Sequence, residues 1–329
     1  MKVSVLGCGR WGSFIAWYLC NNGQEVYSWG PEDDYSYKVL KETGKNEYVT
    51  LDSRIQLTCD LKEAVEHAET IIISISSQGL RGFIQRIKAY DVADKNFVLC
   101  MKGIEIETGC RLSQVLVESG IDENKIAVWV GPGHIQAFTQ GIPNCMVIDS
   151  QNELLKRELA DSFRSDLIRF YYGSDLIGTE IGAAAKNVMG IVAGILDGCG
   201  FSSLKGSLMS RGAREVARLI KAMGGNELSA YGLAHLGDYE ATLFSEYSHN
   251  RTYGEKLVKG EKFNKLAEGV PTAAAMKALG EKYGVDLPIT CAVYDICYQP
   301  SVQGETYKQR CEKMLSKLFA REPKTEFYM

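Results

Sequence analysis

The segment 175–197, DLIGTEIGAAAKNVMGIVAGILD, places a single lysine, Lys186, in the middle of a long run rich in Ala, Gly, Val and Ile. This run predicts one long helix. An ammonium group among small apolar residues costs free energy unless a partner, a ligand or a water-filled cleft receives it. We therefore expect Lys186 to carry out proton transfer at a cleft. The alternative is that its charged end only extends to the surface.

A glycine-rich turn, GCGRWG at 7–12, lies between a predicted strand at 2–6 and an apolar periodic segment. Strand, G-x-G-x-x-G and helix in this order predict a dinucleotide site. Gly7 permits the tight turn, Gly9 lets the backbone approach a pyrophosphate, and Gly12 lets the helix pack close to the strand. The helix N-terminus offers its amides to the phosphates. The alternative is a glycine-rich turn that binds no ligand.

An acidic cluster, Glu32-Asp33-Asp34, follows the second predicted strand at 25–30, and no lysine or arginine occurs before Lys38. A carboxylate at this point binds the hydroxyls of the adenosine ribose and disfavours a 2′-phosphate. The pattern therefore favours NAD and leaves NADP open. The same carboxylates are also typical of a helix start, because they stabilise a first helical turn.

Strands alternate with helices through the first half of the chain. Further strands are predicted at 70–75, 96–101, 125–130, 144–149 and 167–173, with a polar helix at 152–163. This alternation predicts an α/β fold with a Rossmann-like, doubly wound sheet. Beyond residue 175 only helical periodicity remains. We therefore expect a dinucleotide-binding domain at 1–174 and an all-α substrate and catalytic domain at 175–329.

Composition excludes several classes of function. A net charge of −4 over 329 residues argues against a general nucleic-acid binder. The most apolar segment, 175–197, carries Glu180 and Lys186, so no integral membrane span is predicted. No secretory signal is recognisable, and the ten cysteines are scattered without CxxC or zinc spacing. We expect a cytoplasmic protein without a metal site.

A dinucleotide fold implies hydride transfer, and the reduction of a ketone also needs a proton donor near the developing alkoxide. Lysine serves if burial and a second cation lower its pKa towards neutrality. Lys102 follows the predicted strand 96–101 and would be that second cation beside Lys186. Asp238 is expected to orient Lys186, and Thr242, one helical turn further on, shares the face of Asp238.

Two further polar stretches offer hydrogen-bond donors. The segment 248–251, Ser-His-Asn-Arg, carries side chains suited to a phosphate group. The stretch Ser76-Ser77-Gln78 follows the apolar strand 70–75, at the carboxyl edge where open parallel sheets bind ligands. We expect both stretches to line the cleft.

Together these motifs resemble the soluble NAD(P)-dependent glycerol-3-phosphate dehydrogenases over nearly the whole chain. The resemblance rests on GCGRWG at 7–12, Lys102-Gly103, Gly131-Pro132, GAAAKNVMGIVAGILDG at 182–198, SRG at 210–212, LGD at 236–238, SHNRTYG at 248–254, AEG at 267–269 and DLPIT at 286–290. The most specific part is the KNV segment with DGxGF following it at 197–201.

The resemblance implies reversible reduction of dihydroxyacetone phosphate to sn-glycerol 3-phosphate with NAD or NADP. It also implies a cytoplasmic homodimer that supplies glycerophospholipid synthesis. Lys186 would be the general acid and base. The residues implied around the small phosphorylated substrate are Lys102, Asp238, Asn187, Thr242, Ser248, His249, Asn250, Arg251 and Gly131. Those implied at the cofactor are Gly7, Gly9, Arg10, Trp11, Gly12, Ser76, Lys102, Ile135 and Glu268.

The sequence departs from the family pattern in its substrate loops. The usual S-R-N is Ser-His-Asn here, so that His249 stands where the family has arginine. Arg251, two positions on, either replaces that arginine or does not reach the phosphate. The family's SGP[ST]xAxE is VGPGHIQA at 130–137, which removes a hydroxyl and a glutamate and adds His134. A structural role and a substrate contact are both open for His134.

These departures support two alternative hypotheses. The first is a dehydrogenase of the same superfamily that acts on another small phosphorylated or phosphonate ketone, or on a β-hydroxy acid. The second is a non-catalytic sensor that binds NAD and a partner protein. The set of Lys186, Asn187 and Asp238 argues against a sensor, because a sensor does not need a proton donor.

Overall fold

Eight strands run through the first half of the chain, in a computed structural model that describes residues 1–300, 303–322 and 325–326. They are β1 (Lys2–Leu6), β2 (Glu25–Trp29), β3 (Gln56–Thr58), β4 (Thr70–Ile73), β5 (Asn96–Leu99), β6 (Ile126–Val130), β7 (Asn144–Asp149) and β8 (Ile168–Tyr172). The expected end of the second domain at residue 329 lies outside the described residues.

Helices follow most of the strands and make up the second half. In the first half they are α1 (Arg10–Asn21), α2 (Tyr35–Thr43), α3 (Leu61–His67), α4 (Leu80–Ile87), α5 (Leu112–Glu118), α6 (Ile135–Thr139) and α7 (Glu153–Phe163). In the second half they are α8 (Leu176–Cys199), α9 (Lys205–Ala222), α10 (His249–Lys259), α11 (Gly269–Tyr283), α12 (Pro288–Tyr298) and α13 (Tyr307–Phe319). Short 3-10 helices span Ser77–Gly79, Glu123–Lys125, Ser202–Leu204, Glu227–Tyr231 and Leu236–Asp238, and a π-helical turn spans Glu240–Phe244.

The strands form one sheet in the order β3-β2-β1-β4-β5-β6-β7-β8. All neighbours are parallel except β6 and β7, which are antiparallel. The direction of strand addition reverses beside β1, which creates the crevice where doubly wound sheets bind ligands. The predicted α/β fold with a Rossmann-like domain and a helical domain is confirmed. The sequence did not predict β3, a three-residue edge strand that is only partly buried.

Alternate residues of the central strands face two separate apolar clusters. In β1, Val3 and Val5 lie in one cluster and Leu6 in the other. In β4, Ile72 lies in the first and Ile71 in the second. The first cluster includes residues of α1 and α7, and the second includes residues of α3, α4 and α5. Helices therefore cover both faces, which explains why these strands are apolar runs without alternation.

Helix α8 is the central helix of the second half and is buried over nearly its whole length. Its glycines allow α10 to lie directly on its backbone. A Cβ on Gly194 would come 1.9 Å from the Arg251 carbonyl oxygen, and one on Gly254 would come 2.1 Å from the Ile191 carbonyl oxygen. This close packing places the start of α10 beside the helix that carries Lys186. Among the helices described, α8 alone has the length and composition to cross a membrane, and 83% of that window is buried, as in a core helix.

Candidate active site

A cleft of about 960 Å³ lies where the carboxyl edge of the sheet meets α8 and α10. Most of the predicted site residues line it: Gly7, Gly9, Arg10, Trp11, Ser76, Lys102, Ile135, Lys186, Asn187, Asp238, Thr242, Ser248, His249, Asn250 and Glu268. Three predicted residues, Gly12, Gly131 and Arg251, are not among its lining residues. A second large cavity in the helical half, about 690 Å³, is lined by none of the predicted site residues.

The loop between β1 and α1 has the geometry of a pyrophosphate cradle. Gly7 has a φ of +111°, and a Cβ there would come 2.3 Å from the Ser74 carbonyl oxygen. A Cβ on Gly12 would come 1.7 Å from the Gly7 carbonyl oxygen, so Gly12 lies beneath the loop rather than at the ligand. A Cβ on Gly9 would meet no atom within 4 Å, because this position faces the open cleft. The cradle therefore fits a dinucleotide.

Four side chains, Lys186, Lys102, Asp238 and Thr242, form what we call the lysine cluster. The Lys186 Nζ lies 2.7 Å from Asp238 Oδ2 and donates to Thr242 Oγ1 at 2.9 Å. The Lys102 Nζ donates to the same Asp238 oxygen at 2.6 Å and to the Gly131 carbonyl at 2.8 Å. Gly131 thus contributes a backbone carbonyl that holds Lys102, although Gly131 itself does not line the cleft.

Burial lowers the pKa of Lys186 from 10.5 to about 7. The carboxylate of Asp238 opposes this shift, and the positive charge of Lys102 adds to it. At neutral pH both protonation states of Lys186 are therefore populated. A group in this condition can donate a proton in one direction of a reaction and accept it in the other.

An amide network holds the backbone around the lysine cluster. Asn187 donates from Nδ2 to the Lys102 carbonyl at 3.0 Å and accepts at Oδ1 from Asn250 Nδ2 at 3.0 Å. Asn250 in turn accepts at Oδ1 from the Gly269 N–H at 2.9 Å. Both amides line the cleft, yet each is bonded to protein on its two sides. Their observed role is to hold the elements that carry Lys102 and Lys186.

Glu268, just before α11, connects the helical half to the loop after β4. Its carboxylate accepts from the Ser77 N–H at 3.1 Å and from the Ser77 hydroxyl at 2.7 Å. The stretch 76–78 was predicted at this edge with Ser76 as a cofactor residue, but the contact between Ser77 and Glu268 was not predicted. Ser76 lines the cleft and Ser77 is buried beneath it.

The segment 248–251 does not present its arginine to the cleft. The Arg251 Nε donates to Asp197 Oδ2 at 2.6 Å, and Asp197 also binds Lys205 at 2.7 Å. The Ser248 hydroxyl oxygen accepts from the Arg251 N–H at 3.3 Å and so caps α10. Two alternatives were open for Arg251: that it replaces the family's arginine, or that it does not reach the phosphate. The structure agrees with the second, because Asp197 holds the Arg251 guanidinium outside the cleft.

Two histidines stand on the cleft wall at this end. Burial lowers the pKa of His134 to about 4, and the charges of Lys186 and Arg10 act in the same direction. Burial also lowers the pKa of His249, again with Arg10 adding to the effect. The Nε2 atom of His134 is buried and has no hydrogen-bond partner among the described residues. Both imidazoles are uncharged at neutral pH, so neither supplies a cation.

At the opposite end, Asp34 and Arg86 both line the cleft. Asp34 Oδ1 accepts from the N–H groups of Ser36 and Tyr37 at 2.8 and 3.2 Å and caps α2. The helix-start explanation of this acidic cluster is therefore satisfied. The Arg86 guanidinium lies 5.9 Å from the ring centroid of Trp29, at the end of β2. Arg86 was not predicted from the sequence, because no motif marks the last turn of α4.

Two family models match most of this chain. The model described as "NAD-dependent glycerol-3-phosphate dehydrogenase N-terminus" matches residues 2–156, and that described as "NAD-dependent glycerol-3-phosphate dehydrogenase C-terminus" matches 175–306. The chain belongs to this family. The resemblance proposed from the sequence motifs is confirmed.

Relatives and a solved structure match this chain over most or nearly all of its length. A glycerol-3-phosphate dehydrogenase [NAD(P)+] of Prosthecochloris aestuarii is 32% identical, and the match covers 99% of this chain and 100% of the relative. That of Moorella thermoacetica is 35% identical over 92% of this chain and 93% of the relative. The crystal structure of glycerol-3-phosphate dehydrogenase from Coxiella burnetii has a TM-score of 0.86 at 26% identity, covering 97% of this chain and 98% of that one.

Proposed function

We propose that this family member interconverts dihydroxyacetone phosphate and sn-glycerol 3-phosphate, with NAD(P)(H) as the redox cofactor. The main support is that a single cleft contains both a glycine-rich dinucleotide cradle and the buried Lys186, whose pKa is about 7. The cradle serves the cofactor, and Lys186 serves the oxygen of the substrate. Membership of the family and the names of the relatives support this assignment.

The reduced nicotinamide, when bound at the cradle, supplies the hydride to the carbonyl carbon. Lys186 donates its proton from Nζ to the oxygen that becomes a hydroxyl, and it accepts that proton in the reverse direction. Asp238 orients Lys186 through the 2.7 Å contact, and Lys102 adds a positive charge that stabilises the developing alkoxide. Thr242 holds the ammonium group of Lys186 in place.

The test is a steady-state assay with dihydroxyacetone phosphate, run in parallel with NADH and NADPH and followed by loss of the reduced-nicotinamide absorbance. We expect turnover with at least one cofactor and near-complete loss in Lys186→Ala. Absence of turnover with both cofactors would reject the substrate. Undiminished turnover in Lys186→Ala would reject the role given to the lysine.

For the cofactor, we propose that NAD is preferred and that NADP is also used. The acidic cluster at 32–34, of which Asp34 lines the cleft, supports NAD. Arg86 beside Trp29 supports some acceptance of a 2′-phosphate. Trp11, Ser76, Ile135, Glu268 and the backbone of Arg10 are proposed to contact the cofactor, since all of these residues line the cleft.

A second substrate class is favoured by one observation: the family's arginine position carries His249, an uncharged group at neutral pH. The alternative is a dehydrogenase for another small phosphorylated or phosphonate ketone, or for a β-hydroxy acid. A screen of such compounds decides, since a strong preference for dihydroxyacetone phosphate rejects it. Binding of NAD by calorimetry with no turnover on any ketone would support the non-catalytic sensor instead.

We also propose a domain boundary at residues 174/175, between β8 and α8, and a cytoplasmic homodimer that supplies glycerophospholipid synthesis. The change from strands to helices supports the boundary. All ten cysteines are free, which is in keeping with a reducing compartment. Light scattering on a sizing column tests the dimer.

A further inference from the structure

The positive charges that line the cleft differ in how they are paired. Four side chains carry them: Lys186, Lys102, Arg86 and Arg10. The two lysines share the carboxylate of Asp238, at 2.7 and 2.6 Å. Arg86, at the opposite end, lies near the rings of Trp29 in β2 and Phe83 in α4 and also has no carboxylate partner within 4 Å among the described residues. Arg10 has no carboxylate partner within 4 Å in the described part of the chain.

Arg10 reaches across the cleft from the first helix of the sheet domain to the helical domain. Its Nη1 donates to the Tyr247 carbonyl at 3.2 Å, and its guanidinium lies 5.3 Å from the Tyr48 ring centroid. Tyr247 is the residue directly before Ser248, and both line the cleft. The Arg10 side chain therefore stands at the 248–251 segment, although its backbone belongs to the dinucleotide cradle.

Arg10, His134 and Lys186 all line the same cleft. The positive charges of both Lys186 and Arg10 act on the His134 imidazole, so this ring lies near both cations. In dihydroxyacetone phosphate, the phosphorus is only a few bonds from the carbonyl carbon. A substrate with its carbonyl oxygen at Lys186 would bring its phosphate into this part of the cleft.

The side chains of the 248–251 segment that were expected to bind a phosphate are bonded to other protein groups or uncharged. Arg251 is held by Asp197 at 2.6 Å, and the Asn250 amide is bonded to Asn187 and to the Gly269 N–H. His249 is uncharged at neutral pH. A phosphate monoester carries about −1.5 to −2 charges at pH 7, and it binds best to an arginine fork. Among the cations that line the cleft, Arg10 is the one at this end, and no carboxylate within 4 Å pairs with it in the described part of the chain. Lys262 and Lys265 lie nearby in a neighbouring cavity and do not line the cleft.

We infer that the Arg10 guanidinium holds the phosphate of the substrate, in place of an arginine from the 248–251 segment. The Arg10 backbone N–H keeps its place at the start of α1, where it serves the dinucleotide. This inference rests on the proposed function and deepens it. It makes Arg10 a specificity residue that binds the substrate from the cofactor domain.

The test compares two arginines, Arg10→Gln and Arg251→Gln, in the full-length enzyme. In Arg10→Gln we expect the KM for dihydroxyacetone phosphate to rise by about 30-fold, the scale of one lost charge-assisted contact. The dissociation constant of NADH without substrate, measured by fluorescence, should change by less than about threefold, since the cradle amides remain. In Arg251→Gln the KM should stay within about twofold of wild type, because a contact outside the cleft was removed.

A rescue variant strengthens the comparison. Adding His249→Arg to Arg10→Gln returns a guanidinium to the same end of the cleft and should recover most of the lost KM. Arg10→Lys should recover part of it, because a lysine keeps the charge and loses the fork. An unchanged KM in Arg10→Gln would overturn the inference. So would a parallel weakening of NADH binding, which would assign the side chain to the pyrophosphate.

Inorganic phosphate separates this inference from the proposed function. Its binding to wild type and Arg10→Gln, measured by calorimetry with NADH present, needs no turnover. We expect measurable binding to wild type and about 10-fold weaker binding to the variant. If dihydroxyacetone phosphate is not turned over but phosphate binding still depends on Arg10, only the substrate assignment fails. Equal phosphate binding by both proteins would overturn the role of Arg10.

Discussion

The two ends of the substrate region differ in what holds their side chains. At the lysine cluster, Lys186, Lys102, Asp238 and Thr242 bond to one another at 2.6 to 2.9 Å before any substrate arrives. At the 248–251 segment, Arg251 bonds to Asp197 outside the cleft. We propose that the first end carries out proton transfer, while Arg251 at the other end is held by Asp197 and serves the fold.

This difference reflects what each task demands. Proton transfer needs donor and acceptor within hydrogen-bond reach and a matched pKa, so few arrangements of side chains can perform it. Attraction of a phosphate by a cation tolerates many directions of approach, because the Coulomb interaction falls off gradually with distance. An arginine can therefore be lost from one wall, as at His249, and supplied from another, as at Arg10, without changing the fold.

The largest expected effect is at Lys186. The substitution Lys186→Met keeps much of the side-chain volume and leaves Asp238 paired with Lys102, so the fold should persist. We expect kcat to fall by about 10³-fold, with a smaller change in KM, since the proton donor is lost and the phosphate contact is kept. Steady-state kinetics measures this, and an unchanged NADH dissociation constant is the control. A fall in kcat of less than about tenfold would contradict the comparison.

The next largest effect is expected in the pH dependence of kcat. Reduction requires protonated Lys186, whose pKa is about 7, so kcat for reduction should be high at acid pH and fall as pH rises through 7. Oxidation should show the opposite dependence. Asp238 raises this pKa and Lys102 lowers it. The pH at which kcat for reduction falls to half should therefore move down in Asp238→Asn and up in Lys102→Met. Shifts in the same direction would show that the cluster does not set the pKa.

Much of the lysine cluster was predictable, because its residues occur in short motifs with a chemical reason for each position. Lys186 stood out as a charge in an apolar helix, and Gly7 and Gly12 stood out by their spacing after a strand. The central strands were predictable from their apolar runs. In contrast, β3 has only three residues, one exposed and two partly buried, and offers no such signal.

The unpredicted features depend on pairing across the chain. Asp197 and Arg251 are 54 positions apart, and several other carboxylates were equally available to this arginine in the sequence. Ser77 and Glu268 are 191 positions apart. The contact between Arg10 and the Tyr247 carbonyl spans 237 positions. Motif spacing does not encode such partners, since they follow from how the two halves pack.

A smaller effect, on stability rather than catalysis, is expected at Arg251. In Arg251→Gln, Asp197 keeps Lys205 and the Ser202 hydroxyl, so its carboxylate is not left unpaired. We expect a loss of about 1 kcal/mol in the free energy of unfolding, measured by urea denaturation. Lys205→Gln, which removes another partner of Asp197, is the matched control and should act similarly. A loss of activity without a loss of stability would place Arg251 in the substrate site.

The smallest effect is expected at the adenosine end. Arg86→Gln removes the cation beside Trp29 and leaves the carboxylates at 32–34 in place, so the balance should shift further towards NAD. We expect kcat/KM for NADPH to fall by about three- to tenfold relative to that for NADH, because the contact is solvent-accessible and partly screened. Arg54→Gln, on the surface beside Asp52, is the control. An equal fall for both cofactors would instead show that Arg86 packs against the adenine, which the two cofactors share, and that the carboxylates alone discriminate between them.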